Sequence, residues 1–404
     1  MLAALLAAAF AAVPQAPDFA GTISTPKMQR TVGEYSILLI LWDPHRPDHP
    51  APAKQQIEDL VFGQENSVAG WFFENSHGKF RLKRAGILGW YDAAKPGDHY
   101  WESSKEKDPE DSDGDGFLSG HTEKWAEAVR LTDQDFDFAE YDRDGDGVLE
   151  PHELGILMVI PQNNPFGTMR TPAGAQYPEW APLIVDGVRI PLITEAYAGK
   201  PPNLGLFAHE LSHILLGAPD MYMDTPYRPG VYSLMDRSYA PCHLDPFEKL
   251  KLGWLRYRVV TESGEYLLRD VETSGEALIL YDPSRGPSEY FIVENRYRGD
   301  SYDAGALPSD GLAIWHIVED PAVFDKMKPT AGGNDEWGRR GIRLLRANGG
   351  NPIDDKNALF GRGVPCRPTW SDGTPTPFSI TLTSAGSRVR VQILRSRDRS
   401  TGRG

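Results

Sequence analysis

Apolar runs of strand length punctuate the first 200 residues and predict a sheet with few helices. Residues 35–42 (YSILLILW) are almost wholly apolar, as in a strand buried on both faces. Residues 67–76 (SVAGWFFENS) predict a short helix, and the alternating run at 79–91 (KFRLKRAGILGWY) predicts a second strand. Further strands are expected at 155–160 (GILMVI) and 188–197. Together these elements predict a mixed sheet.

Residues 204–220 (LGLFAHELSHILLGAPD) show the spacing of a helix with one buried face. The apolar positions that recur with this spacing are Phe207, Leu211, Ile214 and Leu215. Asn203 is in position to cap the start of the helix, and Gly217 is in position to end it.

From about residue 256 the pattern changes to β-branched runs broken by Gly and Pro, with strands expected at 289–296, 311–318 and 378–394. We therefore divide the chain into a domain at 30–255, a β-rich C-terminal region at 256–396 and a disordered tail at 397–404. The expected fold class is α+β. A chain of 404 residues with 40% apolar residues is long enough for two such units.

The net charge of −15 is concentrated in one segment. Residues 101–153 hold 18 Asp and Glu against 5 Lys and Arg, which accounts for −13 of the total. The acidity is therefore local, and no basic groove for nucleic acid is visible. We expect no nucleic-acid binding.

Residues 1–17 (MLAALLAAAFAAVPQAP) are uncharged and rich in Ala and Leu, like the apolar core and cleavage region of a secretory signal. We expect a secreted or extracytoplasmic protein. No run reaches the ~18 apolar residues of a membrane span, so no span is predicted. Cys242 and Cys366 permit at most one intramolecular disulfide and are equally compatible with free thiols.

His209 and His213 lie four residues apart on the predicted helix and can grip one cation from one face. Zinc favours nitrogen and oxygen ligands and is used in catalysis with one open position. Glu210 lies beside the two histidines, where it can act as a general base on water. This HExxH pattern predicts a zinc site with Glu210 as its catalytic residue.

A third protein ligand is required. Gly217 lets the chain turn back, and Asp220 then arrives where the extended pattern HExxHxxGxxD has its carboxylate. The rival is Glu248 in the segment PFEKLKLGW (246–254), which we expect to face solvent. Further along, Met235 within 231–238 (VYSLMDRS) is expected to form a methionine turn beneath the metal.

These residues resemble the immune inhibitor A family of secreted bacterial metallopeptidases, which have HExxHxxGxxD followed by a methionine turn. Other segments similar to that family occur in the same order, at 67–82, 141–150, 246–255, 290–296, 311–317 and 370–380. The resemblance implies a zincin (metzincin-like) catalytic domain with a mixed sheet and an active-site helix, continued by the β-rich region. It also implies endoproteolysis with zinc and calcium.

Residues 142–153 match a twelve-residue EF-hand calcium loop. Its expected ligands are Asp142, Asp144, Asp146, the carbonyl of Val148 and Glu153. Because Pro151 and the following strand leave no exit helix, calcium is expected to stabilise the fold rather than to switch it. A second candidate loop at 111–122 repeats only the first half of the pattern. Its expected ligands are Asp111, Asp113 and Asp115.

The expected function is a zinc metalloendopeptidase that hydrolyses extended polypeptides and acts as a monomer. An oxyanion-stabilising tyrosine would be Tyr239 or Tyr232. One alternative is a calcium-stabilised surface or adhesion protein with a vestigial zinc site, although the presence of Glu210 argues against it. Another is a zinc hydrolase of non-peptide substrates. Glu294 and His316 are expected to be hydrogen-bonded core residues.

Overall fold

The computed structural model describes residues 17–19, 28, 30–97, 100, 119–161, 175–176, 183–199, 201–221, 226–319 and 341–396. Three regions of the sequence analysis lie outside these ranges: the signal segment apart from Pro17, the ligands of the candidate loop at 111–122, and the tail at 397–404.

The N-terminal half contains a five-stranded sheet in the order β2-β1-β3-β7-β4. Four strands are parallel to their neighbours: β1 (Gly33–Asp43), β2 (Phe80–Asp92), β3 (Gly155–Pro161) and β7 (Leu192–Ala198). The short edge strand β4 (Ala175–Gln176) runs antiparallel to β7. The predicted strands at 35–42, 79–91 and 155–160 are confirmed.

The position of β1 in the sheet explains why its sequence is almost wholly apolar. Its consecutive residues alternate between two apolar cores, so that Ile37 and Leu39 pack on one face of the sheet and Leu38 and Ile40 pack on the other. A strand covered on both faces needs apolar residues at every position.

The predicted strand at 188–197 is wrong as a single element. The structure has a short hairpin of β5 (Ile184–Val185) and β6 (Val188–Arg189), and β7 begins only at Leu192. Pro191 separates the two, and proline is disfavoured inside a paired strand because it lacks an amide donor.

Six α-helices lie within the described ranges. They are α1 (Lys54–Phe62), α2 (Val68–Asn75), α3 (Ser119–Thr132), α4 (Leu204–Leu216), α5 (Pro246–Lys251) and α6 (Val271–Ser274). The predicted helix at 67–76 is confirmed as α2, whose Ser67 caps the N-terminus by accepting from the amide of Gly70. Helices α1 and α3 were not predicted. No helix in the described ranges is long and apolar enough to cross a membrane.

The C-terminal half is rich in strands, as predicted, and forms two further sheets. The second sheet of the molecule has the order β13-β12-β11-β10-β8, and the third sheet has the order β14-β15-β16-β9. The strands of the second sheet are β8 (Arg256–Val260), β10 (Glu276–Tyr281), β11 (Glu289–Arg296), β12 (Gly311–Val318) and β13 (Ile342–Leu345). Those of the third sheet are β9 (Gly264–Arg269), β14 (Pro365–Cys366), β15 (Phe378–Leu382) and β16 (Arg388–Arg395). The predicted strand at 378–394 is thus a hairpin of two strands.

One apolar core extends across position 255, where the sequence analysis divides the chain. It includes Phe207 and Leu211 of α4 together with Ile292 and Trp315 of the second sheet. The fold as a whole is mixed, with several sheets and few helices, which is compatible with the predicted α+β class.

Candidate metal centre

Helix α4 is formed as its sequence predicts. The Asn203 side chain accepts a hydrogen bond from the amide of Leu206 at the N-terminus, and Gly217 adopts a left-handed φ of 66° at the C-terminus. Phe207 and Leu211 are fully buried beneath the helix. The helix is thereby held against β7 and β3, with His209, Glu210 and His213 on it.

The structure brings the three predicted zinc ligands together. The Nε2 atoms of His209 and His213 lie 3.1 Å apart. Oδ1 of Asp220 lies 3.3 Å from the first of these atoms and 3.4 Å from the second. These three atoms form a nearly equilateral triangle.

The dimensions and donors of this triangle fit a zinc ion. Two ligand atoms at the usual zinc distance and tetrahedral angle are about 3.3–3.4 Å apart. The buried Oδ1 of Asp220 accepts no hydrogen bond within the described residues. Two nitrogens and one carboxylate oxygen, with the fourth tetrahedral position open, make a donor set typical of catalytic zinc.

Backbone carbonyls orient both imidazoles. Nδ1 of His209 lies 3.2 Å from the carbonyl oxygen of Leu234, and Nδ1 of His213 lies 2.8 Å from that of Ala218. A carbonyl only accepts, so each Nδ1 is the donor. The lone pair of each neutral ring is therefore on the Nε2 that faces the centre of the triangle.

The charges of the triangle are mutually dependent. Burial would lower the pKa of His213, but the Asp220 carboxylate raises it to about 9. Burial likewise opposes charge on Asp220, yet the two histidines hold its pKa well below the usual range. Each of these two pKa shifts is therefore produced by the neighbouring candidate ligands.

Glu210 is separate from the ligand triangle. Its Oε2 accepts a hydrogen bond from Thr194 of β7 at 3.4 Å. Burial raises the pKa of the Glu210 carboxyl, while His209 and His213 act to lower it. A carboxyl group with a raised pKa is a better proton acceptor than an ordinary one.

The segment with Met235 lies directly against the ligands. Met235 is fully buried, and its carbonyl accepts a 2.8 Å hydrogen bond from the amide of Met221, next to Asp220. The preceding carbonyl, that of Leu234, is the partner of His209. The segment therefore hydrogen-bonds one candidate ligand, His209, and the residue that follows another, Asp220.

The two candidate tyrosines lie in different environments. Tyr232 is fully buried, and its hydroxyl donates to the carbonyl of Asp355 at 2.8 Å. Tyr239 is 37% exposed; burial raises the pKa of its phenol, and the Glu210 carboxylate raises it further. Of the two, Tyr239 is accessible from solvent and close enough to Glu210 to respond to its charge.

The expectation that Glu248 faces solvent is wrong. Glu248 lies on α5 and is fully buried, beside the capping residue Asp245. In the described part of the chain, the only histidine-containing group of three or more ligand atoms within 4.8 Å of one another is His209, His213 and Asp220.

Sequence reasoning missed a buried ion pair beside this centre. Lys124 of α3 and Glu195 of β7 lie 2.7 Å apart, and both side chains are at most 1% exposed. Trp125 and Tyr197 also donate to Glu195, at 2.7 and 2.9 Å. Glu195 acts to raise the pKa of Glu210. An acidic residue within a buried strand was the available sequence signal.

The predicted calcium loop at 142–153 brings three of its expected ligands together. Carboxylate oxygens of Asp142, Asp144 and Asp146 lie within 4.8 Å of one another. Asp142 accepts from the amides of Gly145 and Gly147, at 2.9 and 3.0 Å. Both glycines have positive φ, of 74° and 79°, which the tight turn requires.

Glu153 is not in that group of three. It is 1% exposed, and its carboxylate accepts from the amides of Arg143 and Glu150, at 2.7 and 3.3 Å. Glu150, at position nine of the loop, was not among the expected ligands. Its buried Oε2 accepts no hydrogen bond in the described part of the chain, so it is a further oxygen available to a cation.

The remaining polar predictions concern the second sheet and the two cysteines. Glu294 accepts from Trp315 at 3.1 Å, and His316 lies 2.8 Å from a carboxylate oxygen of Glu289, so both are hydrogen-bonded core residues as expected. Cys242 and Cys366 are buried free thiols.

No protein-family model matches the chain, and no curated protein matches it either.

Proposed function

We propose that this protein is a secreted zinc-dependent endopeptidase that hydrolyses extended polypeptides and is stabilised by calcium. The proposal includes a zincin fold and kinship with the immune inhibitor A family, whose HExxHxxGxxD pattern the segment 209–220 resembles.

One observation carries the proposal. His209, His213 and Asp220 offer three metal-binding atoms 3.1–3.4 Å apart, while Glu210 on the same helix is not needed as a ligand. A purely structural zinc site is closed by four protein ligands and has no use for an adjacent base.

The sheet supports the zincin fold. Four strands are parallel, the edge strand β4 is antiparallel, and α4 packs against the sheet beside that edge. Extended peptides commonly bind by adding a strand to such an edge. We propose that the substrate binds in this way, with its scissile bond above the ligand triangle.

The proposed reaction is peptide-bond hydrolysis in which Glu210 and Tyr239 have separate roles. Zinc, when bound, supplies Lewis acidity that polarises the scissile carbonyl and acidifies water. Glu210 removes a proton from the attacking water as the new C–O bond forms. It then delivers that proton to the leaving nitrogen as the C–N bond breaks, so the carboxylate is regenerated. The hydroxyl of Tyr239 donates a hydrogen bond to the oxygen on which negative charge develops.

The calcium part of the proposal concerns residues 142–153. Its support is the grouping of three aspartates. Glu150, which is close enough to Asp146 for their charges to interact, adds a buried oxygen that accepts no hydrogen bond within the described residues. Closely spaced carboxylate oxygens favour a hard cation such as calcium.

Cleavage of casein, a loosely folded protein, tests the proposal. The purified protein should cut casein, lose this activity when treated with a zinc chelator, and regain it when zinc is returned. Zinc binding without cleavage of casein or short esters would indicate an adhesion protein with a vestigial site. Ester cleavage without casein cleavage would indicate a hydrolase of non-peptide substrates.

A further inference from the structure

The ring of Phe19 fills a pocket on the second sheet, far along the chain from its own position. Phe19 is fully buried. Its ring centroid lies 6.3 Å from that of Tyr257, 5.2 Å from that of Tyr281 and 4.8 Å from that of Tyr290. These tyrosines belong to the neighbouring strands β8, β10 and β11. Three strands therefore contribute rings to the binding of one side chain.

The backbone of Phe19 is held as well as its ring. The Lys251 ammonium group donates to the Phe19 carbonyl, and the Phe19 backbone hydrogen-bonds the Tyr257 hydroxyl. Lys251 in turn lies 3.3 Å from Glu319, and both side chains are at most 3% exposed. Contacts to both the ring and the peptide group are features of a peptide-binding pocket rather than of incidental apolar packing.

Two buried polar residues, Lys251 and Glu319, line this pocket beside residues 18–19. Glu319 accepts from the Tyr290 hydroxyl, while its buried Oε2 has no hydrogen-bond partner among the described residues. The Asp18 carboxylate, one residue before Phe19, lies close enough to Lys251 to act on its charge. Without residues 18–19, three tyrosine faces and a buried lysine would lose their contacts.

The segment Asp18–Phe19 follows directly on the predicted secretory signal at 1–17. We propose that this pocket is the docking site of the chain's own Asp18–Phe19 segment, and that it sets the limit of N-terminal processing, so that cleavage falls before Asp18. The anchored segment then fastens the start of the mature chain to the β-rich region. The processing part of this inference rests on the proposed export, whereas the docking part does not.

The position of the mature N-terminus is the first test. The protein is purified from the medium of a secreting host, and its N-terminus is determined by terminal sequencing and intact mass. The chain should be cleaved, and its first residue should lie no later than Asp18. A mature chain that begins at residue 20 or later and melts at the same temperature as a chain containing Phe19 would overturn the proposal.

Stability of a substituted chain is the second test. Phe19→Ala should lower the melting temperature by about 5 °C or more, because a buried aromatic side chain is truncated. It should also make the N-terminal region susceptible to limited proteolysis. Phe73→Ala is the matched control, since Phe73 is 40% exposed on α2. An unchanged melting temperature in Phe19→Ala would overturn the docking.

A milder variant keeps the test decisive if Phe19→Ala does not accumulate. Phe19→Leu keeps an apolar side chain but loses the ring contacts. It should therefore fold, and its melting temperature should lie between those of the wild type and Phe19→Ala. A Phe19→Leu protein as stable as the wild type would contradict the assigned pocket. Failure of export is distinguishable, because the purified chain would then retain residues 1–17 while Phe19→Ala still lowered its melting temperature.

Discussion

The backbone amide of Met221 donates a 2.8 Å hydrogen bond to the carbonyl of Met235. The turn that contains Asp220 is thereby hydrogen-bonded to the segment that contains Met235. The same segment orients His209 through the Leu234 carbonyl. Two candidate ligands, one on helix α4 and one on the turn after it, are thus positioned by consecutive peptide groups. The geometry gives a physical reason for a buried methionine turn beneath such a site, since movement of the turn would displace both ligands.

The identity of the third ligand is testable by substitution. Asp220→Ala should weaken zinc binding by more than about 100-fold, because even outer partners of metal ligands contribute 10–100-fold. Glu248→Gln is the control for the rival ligand and should keep its zinc, since Glu248 lies outside the ligand group. Metal analysis of both purified proteins is the measurement. The reverse pattern of zinc contents would rule out Asp220.

Calcium should stabilise the fold through the loop at 142–153. A ligand that binds only the folded state adds about 2.7 kcal/mol at a hundredfold excess over its Kd. The melting temperature should therefore rise with calcium, and Asp144→Ala should remove most of the rise. Asp300→Ala, at an exposed aspartate outside the loop, should retain it. A melting curve that does not respond to calcium in the wild type would refute the site.

The two tyrosines should differ in their effect on catalysis. Tyr239→Phe should lower kcat about 100-fold, as expected for loss of one hydrogen-bond donor to a developing oxyanion. Tyr232→Phe should lower stability instead, because it leaves the partly buried carbonyl of Asp355 without that donor. Steady-state kinetics and melting curves separate the two effects. Equal kcat in Tyr239→Phe and the wild type would remove Tyr239 from the mechanism.

The grouping of the candidate ligands could be predicted because the information that specifies it is local in the sequence. His209, Glu210, His213 and Asp220 lie within one helix and the turn that follows it, where spacing alone determines which side chains share a face. The limits of the short strands were harder to predict, since Pro191 interrupts an apolar pattern that continues on both sides.

Contacts between residues that are far apart along the chain could not be predicted from a comparable sequence pattern. Lys124 meets Glu195 from a helix 71 residues away, and Phe19 meets Tyr290 from the other half of the chain. No periodic pattern specifies such pairs. Helix α3 is a different case, because Trp125, Ala128 and Val129 are buried at helical spacing that is visible in the sequence.

Glu319 should make stability depend on pH. Burial raises its folded-state pKa from 4.5 to about 7, so the fold favours the protonated acid. The stability it contributes is fully present below the unfolded pKa, and is lost as the pH rises from 4.5 through 7. Lys251, whose pKa burial lowers to about 8, remains charged in both states over this interval and adds no slope.

Glu319→Gln provides the measurement for this pH effect. Glutamine does not titrate, so the melting temperature of the wild type should fall relative to that of the variant between pH 4.5 and 7. The full difference corresponds to on the order of 3 kcal/mol, at about 1.4 kcal/mol for each pKa unit. A constant difference between the two proteins across this range would show that the carboxyl has an ordinary pKa.

The role of Glu210 can be separated from metal binding because its carboxylate is not part of the ligand triangle. Glu210→Gln keeps the size of the side chain and its ability to accept from Thr194, but it removes the basicity. Zinc content and melting temperature should therefore stay near those of the wild type.

Peptidase activity of Glu210→Gln should nevertheless fall. General acid–base catalysis contributes about 10²–10⁴-fold, and one group here serves both water activation and protonation of the leaving nitrogen, so the loss in kcat should approach the upper end. Thr194→Val is the matched control for the hydrogen bond alone and should have a smaller effect. A fully metallated Glu210→Gln protein with more than about a tenth of wild-type activity, well outside the loss expected of a general base, would assign the proton transfer to another residue.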